Sequence, residues 1–225
     1  MKVLVSLSGG MDSATVLARA IHHGLSVETV SFSYGSKHGK YELESAKRIA
    51  VSYKVPHCIL DISQALAGLK SNLLLSGGEI PEGHYEEQSM SLTVVPGRNL
   101  IFISILAGLA WSKGCGAIWF GAHAGDHAIY EDCRPAFLDA MNAAVIAGTG
   151  HRVSLVTPFL YDDKVSILRF GLGVDVPYIL TRTCYKDQEI ACGKCGSCQE
   201  RLAAFLANEV EDPLRYESRG IIPKT

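Results

Sequence analysis

Lys2-Val3-Leu4-Val5-Ser6-Leu7-Ser8-Gly9-Gly10-Met11-Asp12-Ser13 decides how this chain is read. An apolar run, Val3 to Leu7, meets two glycines and then a periodic segment, Ala14 to His23. That order is strand, glycine turn, helix. A helix start exposes unpaired backbone N–H groups and the positive end of the helix dipole, which together hold a phosphate. Gly9 and Gly10 let the backbone approach an anion, and Ser8 and Ser13 add hydroxyl donors. Asp12 either caps the helix or approaches a metal-bound phosphate. The plainer alternative is a helix-capping turn, where Ser, Asp and Gly are common.

No Gly-Lys-Ser/Thr follows at Walker A spacing, and Gly35-Ser-Lys-His-Gly39-Lys40-Tyr41 lacks one spacer residue and the metal-binding hydroxyl. The string Ser8 to Ser13 instead resembles the pyrophosphate loop of the ATP pyrophosphatases, which split ATP into AMP and pyrophosphate.

Working outward, strand-like and helix-like segments alternate. Strands are expected at Lys2–Leu7, Ser26–Phe32, His57–Ile62, Ala117–Phe120 and Val153–Val156. Helices are expected at Asp12–His23, Lys40–Tyr53, Arg98–Lys113, Pro135–Ala147 and Asp163–Phe170. This alternation predicts an α/β fold, a Rossmann-like parallel sheet with helices on both faces. Ligands then bind at the C-terminal strand ends, where the glycine loop falls. Residues 68–94 break the pattern with Gly68, Gly77, Gly78, Pro81 and Gly83, and read as a lid or insertion. The expected organisation is an α/β domain over 1–180 and a small metal-binding segment over 181–225. The tail from Glu211 reads as a surface strap.

At 225 residues and 48% hydrophobic, the chain can bury a sizeable core in one domain with a small appendage. A net charge of −2 gives no global case for nucleic-acid binding. The longest apolar run, Leu100 to Trp111, falls short of the ~20 residues a membrane-spanning helix needs. No secretory signal is legible, so a cytoplasmic location and no membrane partner are expected.

Seven cysteines in such a chain point to metal or chemistry before disulfides. Cys58, Cys115 and Cys133 are scattered, and buried thiols account for Cys58 and Cys115. The other four form Cys184-x7-Cys192-x2-Cys195-x2-Cys198, with Gly193 and Gly196 permitting the tight turns. Four thiolates suit tetrahedral zinc with no open position, hence a structural site. Iron–sulfur is the alternative, but the ferredoxin run continues with Cys-Pro, and here Gln199-Glu200-Arg201-Leu202 follows.

Loop and cluster together resemble one family, the 7-cyano-7-deazaguanine synthases of queuosine biosynthesis. The resemblance extends over the glycine loop, Val95-Pro96-Gly97-Arg98-Asn99, Gly121 to Asp126, Tyr130-Glu131-Asp132-Cys133-Arg134, Cys184-Tyr185 and Cys192-Gly193-Lys194-Cys195 with Cys198 and Arg201. It implies an adenine nucleotide alpha hydrolase-like fold and a ligase that converts 7-carboxy-7-deazaguanine and ammonia to the nitrile, with ATP and Mg²⁺ used twice in succession. It also implies a homodimer and structural zinc on Cys184, Cys192, Cys195 and Cys198. Another pyrophosphate-loop ligase or a tRNA thiolase is the rival enzyme reading, and a zinc-bearing nucleotide-binding module the non-enzyme one. No nucleic-acid partner is expected.

Carried over by position, Ser8, Gly9, Gly10, Asp12 and Ser13 grip the pyrophosphate. The wider stretch Leu7, Met11, Ala14, Thr15, Val16 and Leu17 lines ATP. Gly97, Arg98 and Asn99 are nucleotide or phosphate contacts, or else cap the helix they open. His123, Asp126 and His127 follow a strand and sit at the active edge. Asp126, Tyr130, Asp132 and Arg134 are candidates for substrate recognition, with Arg134 on the substrate carboxylate. Lys164 either reaches phosphate or is solvated. His22, His23 and His151 are surface residues. The chain departs from the family pattern at Ser36-Lys37 (Gln-Arg expected), at Ala128-Ile129-Tyr130-Glu131 (Ser-Gly-Tyr-Pro), at Arg182-Thr183 (Trp-Ser) and at Gly196 (Asp).

Overall fold

The structure is a computed structural model that describes residues 1–83, 88–123 and 130–220. Five strands form one parallel sheet in the order β3-β2-β1-β4-β5: β1 (Lys2–Ser6), β2 (Ser26–Ser33), β3 (His57–Asp61), β4 (Ala117–Trp119) and β5 (Ser154–Val156). Parallel strands need crossovers, and helices supply them. These are α1 (Met11–His22), α2 (Gly39–Ser52), the short α3 (Ser63–Leu66), α4 (Arg98–Ser112), α5 (Pro135–Gly148) and α6 (Lys164–Gly173); α7 (Gly196–Ala207) follows the sheet.

Alternate strand residues point to opposite faces, so the apolar run of β1 feeds two cores. Leu4 packs with Val30 and Phe32 against Phe102, Ile103 and Leu106 of α4 and Leu138 and Met141 of α5. Val3 and Val5 pack with Trp119 against α1, α2, α6 and α7 through Ala14, Leu17, Ile49, Leu168 and Phe205. The segment Met90–Ser112 is apolar enough to cross a membrane by length and composition, with mean hydropathy 1.7. It is broken at Gly97, whose φ of 63° is left-handed, and α4 buries Phe102, Ile103, Leu106 and Ala110 against the sheet.

The described residues of 68–94 are tied down more than a free lid would be. Leu73, Leu74 and Met90 are buried, Ser36 bridges Leu74, and Gln88–Thr93 forms a 3-10 turn. The tail is likewise no simple strap. Asp212 is 3% exposed and pairs with the fully buried Arg201 of α7, with Arg201 Nε to Asp212 Oδ2 at 2.7 Å and Nη2 to Oδ1 at 2.9 Å. Tyr216 Oη donates to the same carboxylate at 2.6 Å, and residue 216 bridges Ala191.

Candidate active site

The switch point between β1 and its neighbours β2 and β4 places the glycine loop at the C-terminal edge of the sheet, where α/β folds bind ligands. Gly9 has φ +92°, and a Cβ there would lie 2.2 Å from the Glu42 carbonyl oxygen of α2. Its lack of a side chain therefore serves the docking of α2 on the loop. Gly10 caps α1 without a side-chain bond, leaving the first-turn N–H groups for another acceptor. The serines brace the loop. Ser13 Oγ accepts from Ser8 N at 3.1 Å and donates to the Gly10 carbonyl at 3.1 Å, and Gly10 N donates to Ser8 Oγ at 3.3 Å.

Asp12 is no helix cap. Its Oδ2 takes the Lys164 ammonium at 2.5 Å, with His123 Nε2 at 3.9 Å, and its buried Oδ1 has no hydrogen-bond partner among the described residues. Lys164 is not solvated; its side chain is 11% exposed and also meets Glu200 Oε2 at 3.3 Å. Burial works against its charge, but Asp12 and Glu200 outweigh that and hold its pKa above the ordinary lysine value.

These residues line a cavity of about 230 Å³. Leu7, Ser8, Gly10, Met11, Asp12 and Ser13 form one wall, and Arg98, Asn99 and Phe102 of α4 another. Tyr34, His38, Tyr130, Tyr185 and Phe120 add rings, and the C-terminal segment contributes Arg182, Thr183, Ser197 and Glu200. Arg98 keeps its charge in spite of burial, because Tyr34, Tyr185, Cys133 and Asp132 surround it and raise its pKa. Burial pushes the Cys133 thiol up to about 11.

Other expected site residues fall elsewhere. Ala14, Val16 and Leu17 face the core, and the Thr15 hydroxyl lies 2.8 Å from Tyr178 Oη, because α1 turns that face to the sheet and α6. Gly97 lies outside the cavity lining. Asp132 is occupied as a cap for α4: Asn99 N donates to its Oδ2 at 3.0 Å and Asn99 Nδ2 to its carbonyl at 3.1 Å. Arg134 is exposed at the start of α5 and does not line the cavity. Asp126 and His127 lie outside the described residues. His22, His23 and His151 are exposed. Sequence reasoning assigned no role to Tyr34, His38 or Glu200; for Glu200 the signal was its place two residues after Cys198, on a helix not foreseen.

All four clustered cysteines are buried, and their sulfurs lie within 4.8 Å of one another. Tetrahedral zinc with ~2.3 Å Zn–S bonds places sulfurs ~3.8 Å apart, and Cys192 Sγ to Cys198 Sγ is 3.9 Å. Backbone N–H groups of Lys194 and Cys195 donate to Cys192 Sγ at 3.4 and 3.3 Å, which favours thiolate. The donor set fits a closed metal site. Gly193, with φ +73°, is required because a Cβ would strike the Ser218 carbonyl.

The chain is 49% identical to the 7-cyano-7-deazaguanine synthase of Pseudoalteromonas atlantica over 96% of this chain and 99% of that protein. It is 48% identical to the synthase of the same name from Marinomonas sp., over 96% and 99%. Among solved structures it resembles a 4-thiouridine synthetase in complex with RNA and bound ATP (TM-score 0.56, 17% identity, covering 96% of this chain and 47% of that one). It also resembles NMN synthetase from Francisella tularensis (TM-score 0.52, 17% identity, covering 93% and 77%). These two likenesses establish the fold alone. The family model described as "Queuosine biosynthesis protein QueC" matches residues 2–209, and with the sequence relatives it places this chain in the 7-cyano-7-deazaguanine synthase family.

Proposed function

We propose that this enzyme converts 7-carboxy-7-deazaguanine and ammonia to 7-cyano-7-deazaguanine, consuming ATP at each of two steps. The observation that carries the reading is the convergence, in a chain of this family, of a braced phosphate loop with Lys164 and Arg98 around one ring-lined cavity. A carboxylate resists ammonia because oxide is a poor leaving group. Transfer of AMP to the carboxylate oxygen releases pyrophosphate, and ammonia then displaces AMP to give the amide. A second AMP transfer, to the amide oxygen, lets AMP depart as the N–H protons are lost and the nitrile forms.

The residues act mainly by positioning and by neutralising charge. The Ser8–Ser13 loop and Lys164 hold the phosphates as charge builds on the leaving pyrophosphate. Asp12, with its unpartnered Oδ1, suits a magnesium ion carried in with ATP. Arg98 offers a planar donor fork to a phosphate or carboxylate. Asp126 remains proposed for recognition of the base, and Arg134 for the substrate carboxylate. Zinc, when bound, cross-links the 184–195 loop to α7; its four sulfur ligands leave no position for reaction.

A cytoplasmic location follows from the same reading, supported by seven free cysteines. A homodimer is proposed on the family resemblance.

The test is to incubate the protein with ATP, ammonium and the carboxylated base and to look for the nitrile by mass spectrometry. Pyrophosphate is expected only when the base is present. Release without the base, or no nitrile with all components, would overturn the assignment.

A further inference from the structure

We infer that Arg182 is an electrostatic anchor for the triphosphate of ATP, a positioning residue set behind the phosphate loop. This rests on the reading of that loop as the ATP site. The Arg182 backbone N–H donates to the Gly9 carbonyl at 2.7 Å, and its own carbonyl lies 3.5 Å from where a Gly10 Cβ would stand. Residue 182 thus forms the layer directly under the loop, and it lines the same cavity as Ser8, Gly10 and Lys164.

Its side chain is buried, with the residue 6% exposed. The guanidinium is held by neutral groups: Nη1 donates to the Glu189 carbonyl at 2.8 Å, and Nη2 to the Lys186 and Gln188 carbonyls at 3.0 and 2.5 Å. Cζ lies 4.8 Å from the centre of the Tyr41 ring, which Lys40 also approaches at 5.3 Å. Among the described residues no carboxylate oxygen comes within 4.0 Å of the guanidinium, and the buried Nε has no hydrogen-bond partner. Glu42 of α2, which lines the same cavity, faces His38 Nε2 at 3.3 Å.

Two other buried cations are matched by acids. Arg201 has Asp212, and Lys164 has Asp12 and Glu200. Arg182 carries a permanent charge out of water, offset among the described residues by carbonyl dipoles and the Tyr41 ring, an arrangement that is costly in a free-standing core. It is explained where the counter-charge arrives as ligand. The loop beside it offers backbone N–H groups to a polyanion, and charges at a partly enclosed protein site are poorly screened. The guanidinium therefore favours the β- and γ-phosphates and the departing pyrophosphate over the nucleoside part.

Isothermal titration of the full-length protein with pyrophosphate, ATP and AMP tests this on R182K, R182Q and R182M. The neutral variants are expected to bind pyrophosphate and ATP roughly 10- to 100-fold more weakly, AMP within about twofold of wild type, and R182K to stay within about threefold throughout. Neutral variants that bind pyrophosphate as wild type does would overturn the inference. So would equal weakening of AMP and pyrophosphate, or failure of both neutral variants to fold, since each marks Arg182 as a structural post for the 186–189 loop. A wild-type chain that binds neither pyrophosphate nor ATP would instead overturn the ATP-site reading itself, and Arg182's role with it.

Discussion

Lys164 Nζ lies 2.5 Å from Asp12 Oδ2 across 152 residues of sequence, joining the start of α6 to the first turn of α1. Glu200 of α7 closes the arrangement from the cysteine-rich segment. The starts of α1, α6 and α7 therefore meet at one ammonium group. If Lys164 neutralises the leaving pyrophosphate, K164M should lower kcat roughly 10²- to 10³-fold, and D12A should slow turnover as well. Steady-state kinetics at saturating ATP read this directly, and wild-type kcat in either variant would contradict the role.

The Arg201–Asp212 pair is 0% and 1% exposed at its side chains. Removing one partner of such a pair strands a buried charge, so D212A should cost about 3–5 kcal/mol and lower Tm by on the order of 10 °C. Burial works to raise the Asp212 pKa, but the bonds from Arg201 and Tyr216 outweigh it and hold it below the usual value. A folded pKa below the unfolded one gives stability that is full above about pH 4. It is lost as pH falls through the folded value. The Tm gap between wild type and D212N should thus narrow below about pH 4, which thermal melts across pH would reveal.

Gly9 and Gly10 should respond differently to alanine. At Gly9 the positive φ and the Glu42 carbonyl at 2.2 Å leave no place for a Cβ without moving α2. At Gly10 φ is −78° and the nearest atoms stand at 3.4 and 3.5 Å. G9A is expected to lose soluble protein or several kcal/mol, whereas G10A should fold with a change of about 1 kcal/mol or less. Circular dichroism melts of the two variants decide it.

Metal analysis of the purified protein should find zinc, and C195S should lose it. Structural zinc in small modules contributes on the order of 10–16 kcal/mol, comparable with the ~5–15 kcal/mol of a whole domain. Soluble yield and bound zinc are therefore expected to fall together. A zinc-free C195S protein with wild-type Tm and activity would show that the cluster has no structural role.

The strands and helices around the sheet were legible within a residue or so at most ends, because burial on two faces imposes short apolar runs and helical periodicity. The helix Gly196–Ala207 was not foreseen. Its first residues read as part of the tight turns of the cysteine cluster, although Leu202, Ala204 and Phe205 carry helical spacing. Asp132 looked like a recognition carboxylate, since nothing local shows that its oxygens reach Asn99. Whether Lys164 reached phosphate or solvent was not legible for the same reason, its acids being contributed by α1 and α7.

What the sequence determined by itself was the order of elements, the strand-loop-helix cup at Ser8–Ser13 and the four sulfurs at metal spacing. Each is written within a dozen or so residues, where steric preference and periodicity act. Only the tertiary structure decided that Ala14 to Leu17 turn inward, that Asp12 holds Lys164, and that Arg182 lies buried beside the loop with no carboxylate of the described residues at hand. Those outcomes depend on how separately formed elements dock, and docking is set by core packing across long sequence separations rather than by any local pattern.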